Sequence, residues 1–99
     1  MNRKVVITPT AEADLDDILH FIALDDAAAA RRFTSGLRRK LKTLATLADR
    51  CPLAPEHGLD GLEIRNLIYG QYRIVFALEA KRAIILQIRH GARLPIAKE

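Results

Sequence analysis

Apolar residues change their spacing twice along this chain. Ala11, Leu15, Ile18, Leu19 and Ile22 recur at helical intervals, as do Ala30, Phe33, Leu37, Leu41, Leu44 and Ala48. Ahead of them, residues 3–8 (Arg3 to Thr8) are rich in β-branched side chains and predict a short strand. Thr8 suits a helix N-cap, and Pro9 suits the first helical position, where no amide donor is needed. Glu12, Asp14, Asp16 and Asp17 crowd the early turns, where the helix dipole favours negative charge. This first helix is predicted to end near Leu24. Asp25-Asp26 makes a short break and caps a second helix that runs about five turns to Ala48. So short a link predicts antiparallel neighbouring helices. Gly36 lies inside the second helix, where glycine costs about 1 kcal/mol relative to alanine. It therefore predicts close approach to the first helix.

Residues 49–61 hold Pro52, Pro55, Gly58 and Gly61 and predict an irregular stretch. Three strands follow in the pattern: Leu62 to Ile68, Gln71 to Leu78 and Ala83 to Arg89. Tyr69-Gly70 and Glu79 to Arg82 are the turns, short enough to force antiparallel pairing. Alternation assigns the faces. Tyr72, Ile74, Phe76 and Leu78 share one, with Ile84, Leu86, Ile88 and His90 sharing a face of the last strand. Arg65, Arg73, Gln87 and Arg89 are expected on the opposite, open side of the sheet. The fold class is α+β, in two layers. The order is β-α-α-β-β-β, with a helical hairpin on a mostly antiparallel sheet.

Ninety-nine residues predict one domain spanning 1–99, and at 49% hydrophobic the chain has enough apolar material for a core. No apolar run is long enough to span a bilayer, and the N-terminus lacks the apolar length of a signal peptide, so the expected compartment is the cytoplasm, with no membrane partner. Cys51 is the only cysteine, which excludes an internal disulfide. His20, His57 and His90 are scattered; no metal site and no cofactor are expected. Net charge is +4, unevenly spread: residues 1–26 carry two basic and six acidic side chains, and residues 27–99 carry fourteen basic and six acidic. That asymmetry points to an acidic partner, protein or polynucleotide. The polar face of the second helix carries Arg31, Arg32, Arg38, Arg39, Lys40 and Lys42. Some are expected to pair with the first helix at about 0.5 kcal/mol each, the rest to form a solvated face.

Gly70-Gln71-Tyr72-Arg73-Ile74-Val75-Phe76, followed by Ile88-Arg89-His90-Gly91-Ala92-Arg93 in this order of elements, resembles the RelE/ParE toxin superfamily over nearly the whole chain. Asp14-Leu15-Asp16-Asp17-Ile18 is similar to the first helix of those toxins, and His90-Gly91-Ala92-Arg93 resembles the ParE branch. The resemblance implies the toxin of a type II toxin–antitoxin pair, held by a cognate ParD-like antitoxin in a hetero-oligomer. The ParE branch inhibits DNA gyrase by binding; the RelE branch cleaves messenger RNA on the ribosome.

Five residues are the candidates for target binding: Arg65, Arg73, Arg89, His90 and Arg93. A guanidinium on a stiff strand suits bidentate recognition of phosphate or carboxylate. Ribonuclease chemistry would need a base, a cation for the phosphorane and an acid for the leaving oxygen; Glu56, Arg65 and His90 are the candidates for those roles. The resemblance implies that nuclease members keep a tyrosine or extra lysines and arginines near the last strand; here no aromatic follows Phe76 and lysines are sparse in the strands, so it favours a binder over an enzyme. A toxin-like scaffold kept as an interaction module is the third reading.

Overall fold

The structure, a computed structural model, describes residues 2–91. The chain runs β1 (Lys4–Ile7), α1 (Pro9–Asp25), α2 (Ala27–Lys42), α3 (Leu44–Leu47), β2 (Ile64–Tyr69), β3 (Tyr72–Leu78) and β4 (Arg82–His90). The expected α+β architecture is present, with helices packed on a four-stranded sheet in the order β1-β4-β3-β2. β1 lies parallel to β4, and the other neighbours are antiparallel.

Two side chains set the course of the helices. Thr8 accepts the Ala11 N–H on its hydroxyl oxygen at 3.2 Å and donates its own proton to the Ile85 carbonyl at 2.8 Å. It thus starts α1 and pins that start to β4. Asp26 ends α1, its N–H donating to the Ile22 carbonyl, and starts α2, its carboxylate accepting from Ala28 and Ala29. A single residue thereby turns the chain from one helix to the next.

The second helix stops earlier than its apolar spacing predicts. Helical hydrogen bonding of α2 ends at Lys42; Thr43 turns the chain, its hydroxyl donating to the Lys40 carbonyl at 2.6 Å. Leu44 and Ala48 stay on the buried side because α3 and a 3-10 turn at Ala48–Arg50 continue the winding. Periodicity survives such a break, so the pattern could not locate it. Gly36 meets β2, not α1: a Cβ there would lie 2.0 Å from Tyr69 Oη, and that hydroxyl is 3.3 Å from the Phe33 carbonyl it bonds.

One core cluster, including Leu37, Leu44, Ile74, Phe76 and Ile85, fills the space between helices and sheet. Each such side chain contributes about 1.5–3 kcal/mol by leaving water. A smaller cluster of Ala54, Ile64 and Val75, with Leu86 against it, occupies the opposite face. The expected alternation fails in β4 because of a β-bulge. Val75 lies opposite Gln87 but Phe76 lies opposite Ile85, which makes Leu86 an extra residue. The bulge turns Ile85 and Ile88 toward the same core and sends Leu86 to the other side. The β2–β3 turn is Gly70-Gln71 rather than Tyr69-Gly70, with Tyr69 paired to Tyr72 and Gly70 at φ 59°.

Candidate functional site

The segment after the helices wraps around the outer edge of β2. Cys51 packs with the helix-side core, Leu53 bridges to Arg65, and Ala54 reaches the second cluster. Three hydrogen bonds hold the wrap: Asn66 N–H to Pro52 O at 3.0 Å, Ala54 N–H to Ile64 O at 2.8 Å, and Ile64 N–H to His57 Nδ1 at 3.1 Å. This segment carries Glu56 over the face that the alternation left open.

Arg73 and Glu56 are both buried there, at 7% and 1% exposure. Arg73 Nη1 donates to Glu56 Oε1 at 3.1 Å and to Asn66 Oδ1 at 2.8 Å, while Nη2 donates to Glu56 Oε2 at 2.8 Å. The planar guanidinium and the carboxylate meet fork to fork. Arg73 therefore does not stand on an open cationic surface, as its strand position led one to expect. It fastens the segment after the helices to the sheet.

Arg65 also departs from its expected place. It lies opposite Phe76 in the ladder, on the helix side, while Arg73 lies on the other. Its Nε donates to Glu63 Oε2 at 2.7 Å and its Nη1 to the Cys51 carbonyl. Arg89 lies opposite Arg73, and its Nη1 donates to Gln87 Oε1 at 3.0 Å. Arg82, at the start of β4, pairs with Glu79 at 2.8 Å. The sheet's arginines are thus largely engaged by neighbours. Arg93 lies outside the described residues.

His90 lies opposite Tyr72, whose ring it meets edge-on at 5.5 Å between centroids. Its Nε2 and Gln71 Oε1 are 3.3 Å apart. The two rings form one end of a groove of about 400 Å³ between α1 and β4, which Asp14, Asp17, Phe21 and Ile88 also line. β4 runs past the end of β1 here, and Asp14 from α1 covers the edge by accepting the Ile88 N–H at 2.9 Å. Phe21 is 71% exposed and Leu24 76%. Sequence reasoning missed this groove. Its signal is a second stripe on α1 of Asp14, Asp17, Phe21 and Leu24, spaced three and four residues apart beside the core stripe.

The three residues considered for RNA cleavage do not come together. Glu56 is buried with Arg73 on one face, and Arg65 and His90 register with residues of the other. No group of His, Cys, Asp and Glu among the described residues has metal-ligand geometry. Burial pushes the Cys51 thiol above its ordinary value; nearby Arg65 and Lys40 oppose that rise. Among the described residues no helix is long and apolar enough to cross a membrane.

A family model described as the ParE toxin of the type II toxin–antitoxin system, parDE, matches residues 5–95. Two solved structures share the fold. The chromosomal ParDE toxin–antitoxin system of P. aeruginosa is 22% identical at a TM-score of 0.68, over 89% of this chain and 95% of that one. The RelBE2 toxin–antitoxin complex of Mycobacterium tuberculosis is 24% identical at a TM-score of 0.56, over 91% of this chain and 99% of that one. No curated protein matches the chain.

Proposed function

This chain belongs to the ParE toxin family of type II toxin–antitoxin systems, and from that premise we propose that it inhibits DNA gyrase by binding and does not cleave RNA. The observation that carries this choice is the separation of Glu56 from Arg65 and His90 on opposite faces of the sheet. A general base must come within hydrogen-bond reach of the proton it removes. Glu56 is 1% exposed and spends both oxygens on Arg73, so a ribose hydroxyl has no route to it. His90 and Glu56, the acid and base considered for that chemistry, therefore cannot act on one substrate.

The cognate antitoxin neutralises the toxin by seating on the helices and the adjoining sheet. Phe21 and Leu24 give it apolar contact area, and the half-buried Tyr72 and His90 rings lie at the same groove. Both solved relatives are toxin–antitoxin assemblies, which supports a hetero-oligomer of the same kind.

Purified protein added to gyrase with relaxed plasmid is expected to block supercoiling, and the antitoxin encoded beside it is expected to restore the activity. Unaffected gyrase together with cut messages on translating ribosomes would favour the RelE-like nuclease instead. In that case His90→Ala should abolish the cuts with the fold intact. Harmless expression without the antitoxin would favour the interaction module.

A further inference from the structure

Among the described residues, exposed cations concentrate on α2. Arg31, Arg32, Ser35, Arg38, Arg39 and Lys42 are all exposed, and at 3.6 residues per turn they form one stripe opposite the buried Ala30, Leu37 and Leu41. Arg31, Arg32, Ser35 and Arg39 line an open cleft of about 520 Å³. Among the described residues Arg31, Arg38, Arg39 and Lys42 form no ion pair, and Arg32 has only Asp26 at 3.8 Å. Residues Ala27–Lys42 include no acid at all. An ordinary solvated helix face mixes signs, because like charges three or four residues apart repel. This one accumulates five cations along about 16 Å of rigid helix.

We propose that the α2 stripe binds the phosphate backbone of duplex DNA, independently of any contact with gyrase. The chemistry selects among polyanions. Guanidinium groups bind phosphate oxygens bidentately. A protein partner would need apolar or aromatic anchors, and between its cations the stripe offers only Ala28 and Ser35. A single strand would need exposed rings to stack its bases. The one aromatic of α2, Phe33, turns inward and meets Tyr69 and Tyr72 edge-on at 5.2 and 5.4 Å. A convex helix fits the wide major groove of B-form DNA, whereas the A-form major groove is too narrow for it.

The test is fluorescence anisotropy with a labelled 20-base-pair DNA duplex of arbitrary sequence, titrated at several salt concentrations. Five phosphate contacts give a slope of log K against log salt of about −4.5. Arg31→Gln with Arg39→Gln should reduce that slope by about 2 and weaken low-salt binding at least tenfold. The control is Lys4→Gln with Lys81→Gln, two exposed lysines off the stripe, which lowers net charge equally and should leave the slope unchanged. Circular dichroism confirms that both variants are folded. Equal weakening by the two double variants would overturn the proposal. So would duplex RNA, single-stranded DNA or polyglutamate competing as well as duplex DNA at equal charge. Gyrase inhibition plays no part in the readout, so this assignment and the gyrase reading fail separately.

Discussion

Arg73 and Glu56, seventeen positions apart, meet through two parallel hydrogen bonds of 3.1 and 2.8 Å in a site where the carboxylate is 1% exposed. The pair joins the segment after the helices to the middle of the sheet. Removing one partner strands a buried charge, which costs about 3–5 kcal/mol. Glu56→Ala and Arg73→Ala should each lower stability by that amount in urea denaturation. The double variant should lose markedly less than the two combined, because neither charge is then left alone.

Gly36 offers a test in which helix propensity and packing disagree. Alanine in a helix interior is favoured over glycine by about 1 kcal/mol. Here the added methyl would lie 2.0 Å from Tyr69 Oη and 3.0 Å from its Cζ. Gly36→Ala should therefore destabilise, by about 1–3 kcal/mol. Adding Tyr69→Phe removes the closest atom and should recover part of the loss, read from the same denaturation curves.

Asp14 closes the edge of β4 where β1 no longer covers it, through its bond to the Ile88 N–H at 2.9 Å. Asp14→Ala leaves that donor without its acceptor, at about 1–3 kcal/mol. The Ile88 amide should exchange with deuterium faster in this variant than in the native protein. Asp14→Asn keeps an acceptor oxygen and should preserve most of the protection.

Cys51 sets a pH dependence whose sign follows from burial. Its thiol is raised in the folded chain, chiefly by desolvation. The unfolded chain therefore releases this proton first, at about pH 8.5. Its contribution to stability is complete below that pH and is lost as pH rises through the folded value. Native protein should lose more stability above pH 8.5 than Cys51→Ala does, when urea midpoints of the two are compared across pH.

The element order and the helix starts were legible because they rest on local chemistry. Thr8, Pro9 and Asp26 act within a turn of their own positions, and the structure finds them capping as their types predict. The end of α2 was less legible, because a 3-10 turn keeps Ala48 buried much as a continued helix would. Alternation placed Arg73 and Arg89 on the face away from the helices, as the structure has them, but it did not place Arg65 or reveal that Arg73 is covered. One extra residue at Leu86 reverses the alternation in β4. Arg65 follows the register of β2, which places it opposite Phe76.

The sequence by itself determined the kinds of element, their order and the family resemblance, since periodicity, caps and turn residues act over a few positions. Only the tertiary structure decided which cations remain free to meet a partner. Whether an arginine is free depends on an acid or carbonyl brought near by folding, as Glu56 is to Arg73 and the Cys51 carbonyl is to Arg65. Desolvating a guanidinium is tolerated only when such partners satisfy it. The sheet arginines are held by those bonds, and the arginines of α2, with no acid on their own helix, are left facing water.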